Sequence, residues 1–442
     1  MNTTSTQSAQ TPHSRIQAGA AIFAGMALVL YYVVPYTPPL LRFSPHVLAV
    51  IAGFLFLLPL RLAGVQRDEL IIVMVFLGAA LLSTLSAPAA PRTDLLRACL
   101  ISLMTFWVFR NTFGLLPENR LDAGAQILLA LWSLAAISQV LIGKAAYISS
   151  WFGLPPNVVY ATGLSDLSNQ GAILLLPLLV WTLVFNLNRP RWRRSLLWLS
   201  GCAALYFTLS RAGASALLIA MMVLGLRLRG QPGQILGLLL HIVGALLIVV
   251  LAWAAPTRID IYEPGGANSA GRWTMEPGGA NSAGRWTMEP GGANSAGRWT
   301  MGDYSAATRL LTLQVAARAV REYPLTGVGL GRFPEYYREH HAPLLAGAVV
   351  DPRVRMTPHN GYAQFVAEAG IPAFLALLAW LGWLLRRVSM NTEPAALALH
   401  ASILGMMVWL LFHDGFYYRL VWILLGCAAA LGTKQLVPRS GA

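Results

Sequence analysis

The sequence predicts an all-α polytopic membrane protein with about twelve transmembrane helices and one large extramembrane loop. Composition, apolar continuity and arginine placement predict it. Of 442 residues, 56% are hydrophobic and only 11% are charged, against roughly 25% charged in a soluble domain. Mean hydropathy is +0.58. The apolar residues form continuous runs, several near the roughly 20 residues that cross a bilayer as a helix. Only helices and closed barrels satisfy every backbone group in lipid, and runs that do not alternate with polar residues select helices.

In chain order, residues 1–16 form a polar tail without a signal-peptide cleavage pattern. Spans are expected at 17–36, 45–62, 69–86, 96–116, 123–142, 168–187, 195–210, 213–226 and 234–254, and again at 360–385, 394–411 and 416–432. The seventh and eighth split one long apolar stretch at Ser210-Arg211-Ala212-Gly213, where a charge and a glycine interrupt it. The final tail, 433–442, includes Leu436-Val437-Pro438-Arg439, which reads as a protease-site scar.

Orientation follows from Lys and Arg in short loops. Arg61, Arg67, Arg110, Arg120, Arg189, Arg191, Arg193, Arg194, Arg227, Arg229, Arg386 and Arg387 fall on one side with Lys434. The opposite short loops hold Arg42, Arg92, Arg97 and Lys144. Both termini are therefore expected in the cytoplasm. The net charge of +14 lies in these short loops, so nucleic acid is not an expected partner. Cys99, Cys202 and Cys427 sit in apolar segments without metal-ligand spacing.

The long loop, 255–359, is expected on the outer face. It opens with three identical 13-residue units at 263–275, 276–288 and 289–301. Each is Gly-rich and lacks an apolar face to stack, so the array reads as a flexible extension and not a solenoid. An amphipathic helix is expected over 304–323, with Leu310, Leu313, Ala317 and Val320 on its apolar face and Arg309, Arg318 and Arg321 elsewhere. Such a helix is suited to lie along the membrane surface. The run Gly327-Val-Gly-Leu-Gly-Arg-Phe333 follows a helix and a proline and lacks the P-loop lysine. It reads as a tight turn that packs the loop onto the bundle.

Three residues are candidates for chemistry. Arg211 interrupts an apolar stretch, which costs at least about 2.5–3.5 kcal/mol without compensation. It is either an interfacial or ion-paired structural arginine, or an anion site whose small neighbours Ser210, Ala212 and Gly213 leave room for a bulky ligand. His359, at the entrance to the tenth span, is either a helix-entry residue beside an Asn360 cap or a general base. Arg309 either meets solvent and lipid headgroups or holds phosphate through its planar fork. Asp94, Asp166, Asp303 and Asp351 share no pairing, so no metal site is expected.

The order of these elements is more specific than any one of them. Thr308-Arg309 begins the amphipathic helix, and Arg321-Glu-Tyr-Pro-Leu-Thr-Gly-Val-Gly-Leu-Gly-Arg-Phe333 follows. Then comes Pro358-His359-Asn-Gly-Tyr-Ala-Gln-Phe-Val-Ala-Glu-Ala-Gly-Ile-Pro372 at a span entrance. Together with Leu209-Ser-Arg211-Ala-Gly-Ala and Leu167-Ser-Asn169-Gln-Gly, this resembles the O-antigen ligase and polymerase superfamily over roughly 160–390, and within it most resembles the ligases. The tandem insertion departs from the family pattern, which leaves Arg272, Arg285 and Arg298 without a clear counterpart.

The resemblance implies a GT-C-like glycosyltransferase of the bacterial inner membrane with its active site on the periplasmic face. It implies undecaprenyl-pyrophosphate-linked O-antigen as donor and a sugar hydroxyl of lipid A–core as acceptor, with no cofactor and no metal. His359 would be the catalytic base of an inverting transfer. Arg211 and Arg309 would bind the donor pyrophosphate, with Asn169, Asn360 and Arg298 in support. An O-antigen polymerase and a ligase that glycosylates pilin or another protein share these residues and differ in acceptor. A transporter of polyanions or lipid-linked glycans should show two related halves with paired interrupted spans, and only one interrupted stretch is present.

The arginine asymmetry makes a direct prediction. Reporter fusions after Gly230 and after Met390 are expected to report cytoplasm, and a fusion within 265–300 periplasm. The opposite result at any of these points breaks the topology.

Overall fold

The computed structural model describes residues 12–33, 45–57, 93–142, 168–208, 210–254, 301–340, 357–416 and 418–434, with scattered helical residues between 74 and 85. The expected repeats and Arg272, Arg285 and Arg298 lie outside the described residues. The described elements are helical. They are α1 (Pro12–Val33), α2 (Pro45–Leu57), α3 (Thr93–Thr112), α4 (Glu118–Ile142), α5 (Ser168–Asn188), α6 (Trp192–Phe207), α7 (Arg211–Arg227) and α8 (Pro232–Ala254). After the repeats come α9 (Met301–Glu322), α10 (Phe333–His340), α11 (Gly361–Ser389), α12 (Pro394–Trp409) and α13 (Arg419–Lys434).

Each expected span except the third overlaps one of these helices, and the third is described only in part. Among the described residues, three stretches are long and apolar enough to cross a membrane by length and composition: Glu118–Gln139, Asn169–Asn188 and Gly361–Ser389. Six shorter apolar stretches of 10–17 described residues fall on α1, α2, α3, α8, α12 and α13. The expected count of about twelve spans is therefore not established by helix length.

Helix α5 is apolar all round, the composition of a helix buried on every side, and packs against α4, α6, α7 and α12. Its residues Ala172, Leu174, Leu175, Leu176, Leu179 and Val180 are fully buried. At one end of the bundle an Arg194–Asp122 ion pair joins α6 to α4. At that end also, Arg227 of α7 donates to the Ser389 carbonyl, and its Nη2 donates to Asn391 O at 2.8 Å. Arg227 thus ties the end of α7 to the turn before α12. Further along, Ala216 lies against Gly405, so α7 and α12 run antiparallel.

The expected tenth span is not one straight helix. Gly370 interrupts α11 with φ 82° and ψ 169°, and Pro372 supplies no N–H. The break leaves the Ala367 and Glu368 carbonyls without their helical donors, a costly condition for buried backbone groups. The Gly-rich run supplies replacements: Val328 N donates to Ala367 O at 2.9 Å and Gly329 N to Glu368 O at 3.0 Å. Ser83 Oγ adds a second donor to Glu368 O at 2.7 Å. In return, Ile371 N donates to Pro324 O at 2.8 Å. Gly327 makes the approach possible: a Cβ there would lie 2.4 Å from the Glu368 carbonyl, and its φ is +67°.

From Ile371 onward α11 rises about 28 Å, and α12 about 24 Å, at 1.5 Å per residue. Gly361 N donates to Leu410 O just past the end of α12. The first stretch of α11 therefore adds no depth and runs across the end of the bundle. Helix α9 packs alongside this stretch. The buried face of α9 is Leu311, Thr312, Val315, Ala316 and Ala319, against Val328, Phe333, Tyr336, Tyr337 and Ala367.

The apolar face expected from the sequence is not the one packed on the protein. Leu310 is 55% exposed and Leu313 37%, and Ala317 is also exposed. The helix is apolar on two sides, and the side with smaller residues at 316 and 319 permits close packing onto Ala363 and Ala367. Helix α10 is tied to α9 by Tyr336 Oη, which donates to Glu322 Oε2 at 2.6 Å.

Replacing Gly327 or Gly370 with alanine is expected to lower thermal stability by at least about 1–2 kcal/mol for the left-handed backbone alone. Gly382→Ala, in the same helix with open space around it, is expected to be neutral or slightly stabilising. Melting curves of the three purified variants check this.

Candidate functional site

The bundle end at which α12 finishes gathers most of the residues singled out from sequence. His359 immediately precedes the Asn360 cap of α11. Asn360 Oδ1 accepts from Ala363 N at 2.9 Å, and its Nδ2 donates to Leu411 O at 3.0 Å. On the other side, the Pro358 carbonyl accepts from Thr312 Oγ1 of α9 at 3.4 Å. Between these anchors His359 adopts φ 49°, a left-handed conformation that costs a non-glycine residue about 1–2 kcal/mol. Flanking contacts impose that conformation, and such strain concentrates at functional sites. Asn360 is thus the helix cap, and it also joins the start of α11 to the loop after α12.

Arg309, exposed on the N-terminal half of α9, lies within electrostatic reach of His359. The loop from Leu410 to Tyr418 adds two groups that the sequence reading did not select. His413 stacks on Trp409 with ring centroids 4.6 Å apart and planes at 27°. Asp414 faces His359 electrostatically. Their signal in the sequence was a titratable pair, His-Asp, in a short connection between two apolar segments, where such groups are expensive and commonly functional.

The charges act in opposite directions on the two imidazoles. Burial pushes His359 below the ordinary histidine value, Asp414 pulls it upward, and Arg309 pushes it down. His413 is pushed down to about 4 by burial, by Arg309 and by His359. Both rings are therefore neutral near pH 7. His359 alone has a carboxylate placed to stabilise its protonated form.

Arg211 is the first residue of α7, and Ser210 Oγ caps the helix by accepting from Gly213 N at 3.2 Å. It stands five residues beyond Ala216, as Leu410 stands five beyond Gly405, each about 7.5 Å along its helix. Arg211 is therefore level with Leu410 and with the start of α11. Its guanidinium is exposed at a helix N-terminus, where unpaired N–H groups already favour anions. The small neighbours are also packed against the bundle. Ala212 is buried, and a Cβ on Gly213 would lie 2.6 Å from Ala172 Cβ, so their size serves the packing of α7 on α5. Asn169, half-buried one turn before Ala172, shares this end. The position of Arg298 is outside the described residues.

The arrangement combines a proton acceptor with a carboxylate partner and two exposed guanidinium groups at one end of a membrane bundle. Among the described residues there is no group of three or more His, Cys, Asp or Glu side chains that could hold a metal ion. Residues 195–378 match the family model described as O-antigen ligase, a stretch that contains Arg211, Arg309 and His359 and ends before His413 and Asp414. No curated protein gives a significant match to the chain.

Histidine titration tests the electrostatics directly. In isotope-labelled protein, His359 is expected to titrate below about 6.5. Asp414→Asn should move it lower, and Arg309→Gln should move it higher. Shifts of the opposite sign would show that these neighbours do not face the ring.

Proposed function

We propose that this protein is an O-antigen ligase, which transfers a glycan from undecaprenyl pyrophosphate to a sugar hydroxyl of lipid A–core. The observation that carries this reading is His359, held in a left-handed conformation with Arg309 and Asp414 in electrostatic reach, inside the O-antigen ligase stretch. With both termini in the cytoplasm, the loop 255–359 and the site lie on the periplasmic face of the inner membrane. The segments 17–254 and 360–432 then form the membrane part.

The residues fit a single displacement. The acceptor oxygen attacks the anomeric carbon as its proton passes to neutral His359. The bond from that carbon to the pyrophosphate oxygen breaks, with inversion, and undecaprenyl pyrophosphate leaves with the bonding electrons. Asp414 stabilises the imidazolium that forms. Arg309 and Arg211 bind the pyrophosphate and stabilise the charge that develops on it. The two guanidinium groups supply this charge without a divalent cation, and the donor is already activated, so no nucleotide is needed outside the cytoplasm. The lipid tails of both substrates remain in the bilayer beside α9.

Reconstitution of the purified protein with lipid-linked glycan tests the assignment. Glycan is expected to appear on lipid A–core and to do so in excess chelator. Glycan appearing only on a protein, or on a second lipid-linked glycan, would reassign the acceptor. Passage of intact donor across the bilayer without transfer would make the protein a transporter. His359→Ala is expected to keep donor binding and lose about 10²–10⁴-fold in turnover. Arg309→Lys and Arg211→Lys should weaken donor binding, because a point charge lacks the bidentate fork.

A further inference from the structure

A second imbalance at this site points beyond the base and the arginines. His413 is held by contacts different from those at His359. Its ring lies on Trp409, whose own side chain is 1% exposed and meets Tyr418 edge-on at 5.7 Å. The loop carrying His413 is held at both sides by the start of α11, through Gly361 N to Leu410 O and Asn360 Nδ2 to Leu411 O. The His413 carbonyl oxygen itself borders Gly361, 3.2 Å from where a Cβ would stand. These contacts set the imidazole at the same place as His359 and Arg309, and nothing in the displacement described above uses it.

We propose that His413 is the acceptor-binding imidazole of this site, hydrogen-bonding a hydroxyl of the acceptor sugar while His359 takes the proton. The inference rests on the ligase reading and deepens it. A neutral imidazole offers one N–H donor and one nitrogen acceptor, and a sugar hydroxyl is likewise both donor and acceptor. A pyrophosphate oxygen is an acceptor only, and the guanidinium groups already serve it. The charged groups that face the two rings divide the roles. Arg309 on α9 opposes protonation of both, whereas Asp414 supports protonation of His359. His413 is pushed down to about 4, so it stays uncharged at the pH where His359 works. Two histidines whose surroundings separate their proton affinities are thereby assigned to different tasks.

Steady-state transfer by the full-length reconstituted protein, with acceptor and donor varied separately, tests this with His413→Phe, His413→Asn and His413→Ala. The phenylalanine variant keeps the stack on Trp409 without the hydrogen bond. It is expected to raise the acceptor KM by about two- to tenfold, as for one lost hydrogen bond, with donor KM and the acid limb of the pH profile unmoved. The asparagine variant should recover part of the acceptor KM. An acid limb that vanishes with His413→Phe but survives in His359→Ala would make His413 the base. A change in donor KM alone would place His413 on the pyrophosphate. Wild-type kinetics in all three variants, or lowered melting temperature with unchanged kinetics, would leave the ring a packing role and overturn the inference. Each of these outcomes leaves the ligase reading intact. An unsubstituted protein that transfers nothing to lipid A–core overturns both.

Discussion

The exchange of backbone hydrogen bonds at the break in α11 is the constraint on which the site depends. A helix broken by Gly370 and Pro372 exposes carbonyls that cannot stay unpaired in an apolar setting. Val328 and Gly329 satisfy Ala367 and Glu368, and Ile371 returns a bond to Pro324. This pairing locks the end of α9 to α11 at one level. The face built on Leu311, Val315, Ala316 and Ala319 then fixes α9 along the first stretch of α11. Arg309, about three turns back along α9 from this joint, is brought within electrostatic reach of His359 as a consequence. Gly327 and Gly329 belong to this joint.

The same break explains how a helix of 29 residues serves two purposes. Its second part has a length close to the roughly 30 Å of a hydrocarbon core. Its first part turns across the end of the bundle and presents His359 where α12 ends. A straight helix would have carried His359 about 15 Å further out, away from Leu410, His413 and Asp414. Left-handed backbone is therefore found both at glycines such as Gly327 and Gly370, which tolerate it, and at His359, where surrounding contacts impose it.

Electrostatics at this end are arranged by few groups. Two arginines face the solvent side of the site, so anion binding does not require burying an unpaired charge. The single carboxylate at His359 offsets Arg309 and keeps a proton acceptable to the ring, even though burial opposes it. At the other end of the bundle, Arg194–Asp122 and the Arg227 contacts to Ser389 and Asn391 hold the helices in register. Arginine thus ties helices together at one end and stands exposed at the other.

The sequence by itself determined that the chain is helical and apolar and where most helices lie, and it singled out Arg211, Arg309 and His359 as candidates. Those features are local: hydropathy runs, a capping asparagine and motif spacing are written in neighbouring residues. The number of membrane crossings was not determined, because several apolar helices are shorter than a span and length alone does not separate them. Only the tertiary structure decided which of two apolar faces α9 buries, since Leu310 and Leu311 are equally apolar and the choice depends on the small residues Ala363 and Ala367 opposite. Only it showed that Gly213 is small for packing against Ala172. It also brought His413 and Asp414 to His359 across more than fifty residues of chain. That proximity comes from two helix ends meeting through Gly361 and Leu410, a contact that no local pattern encodes.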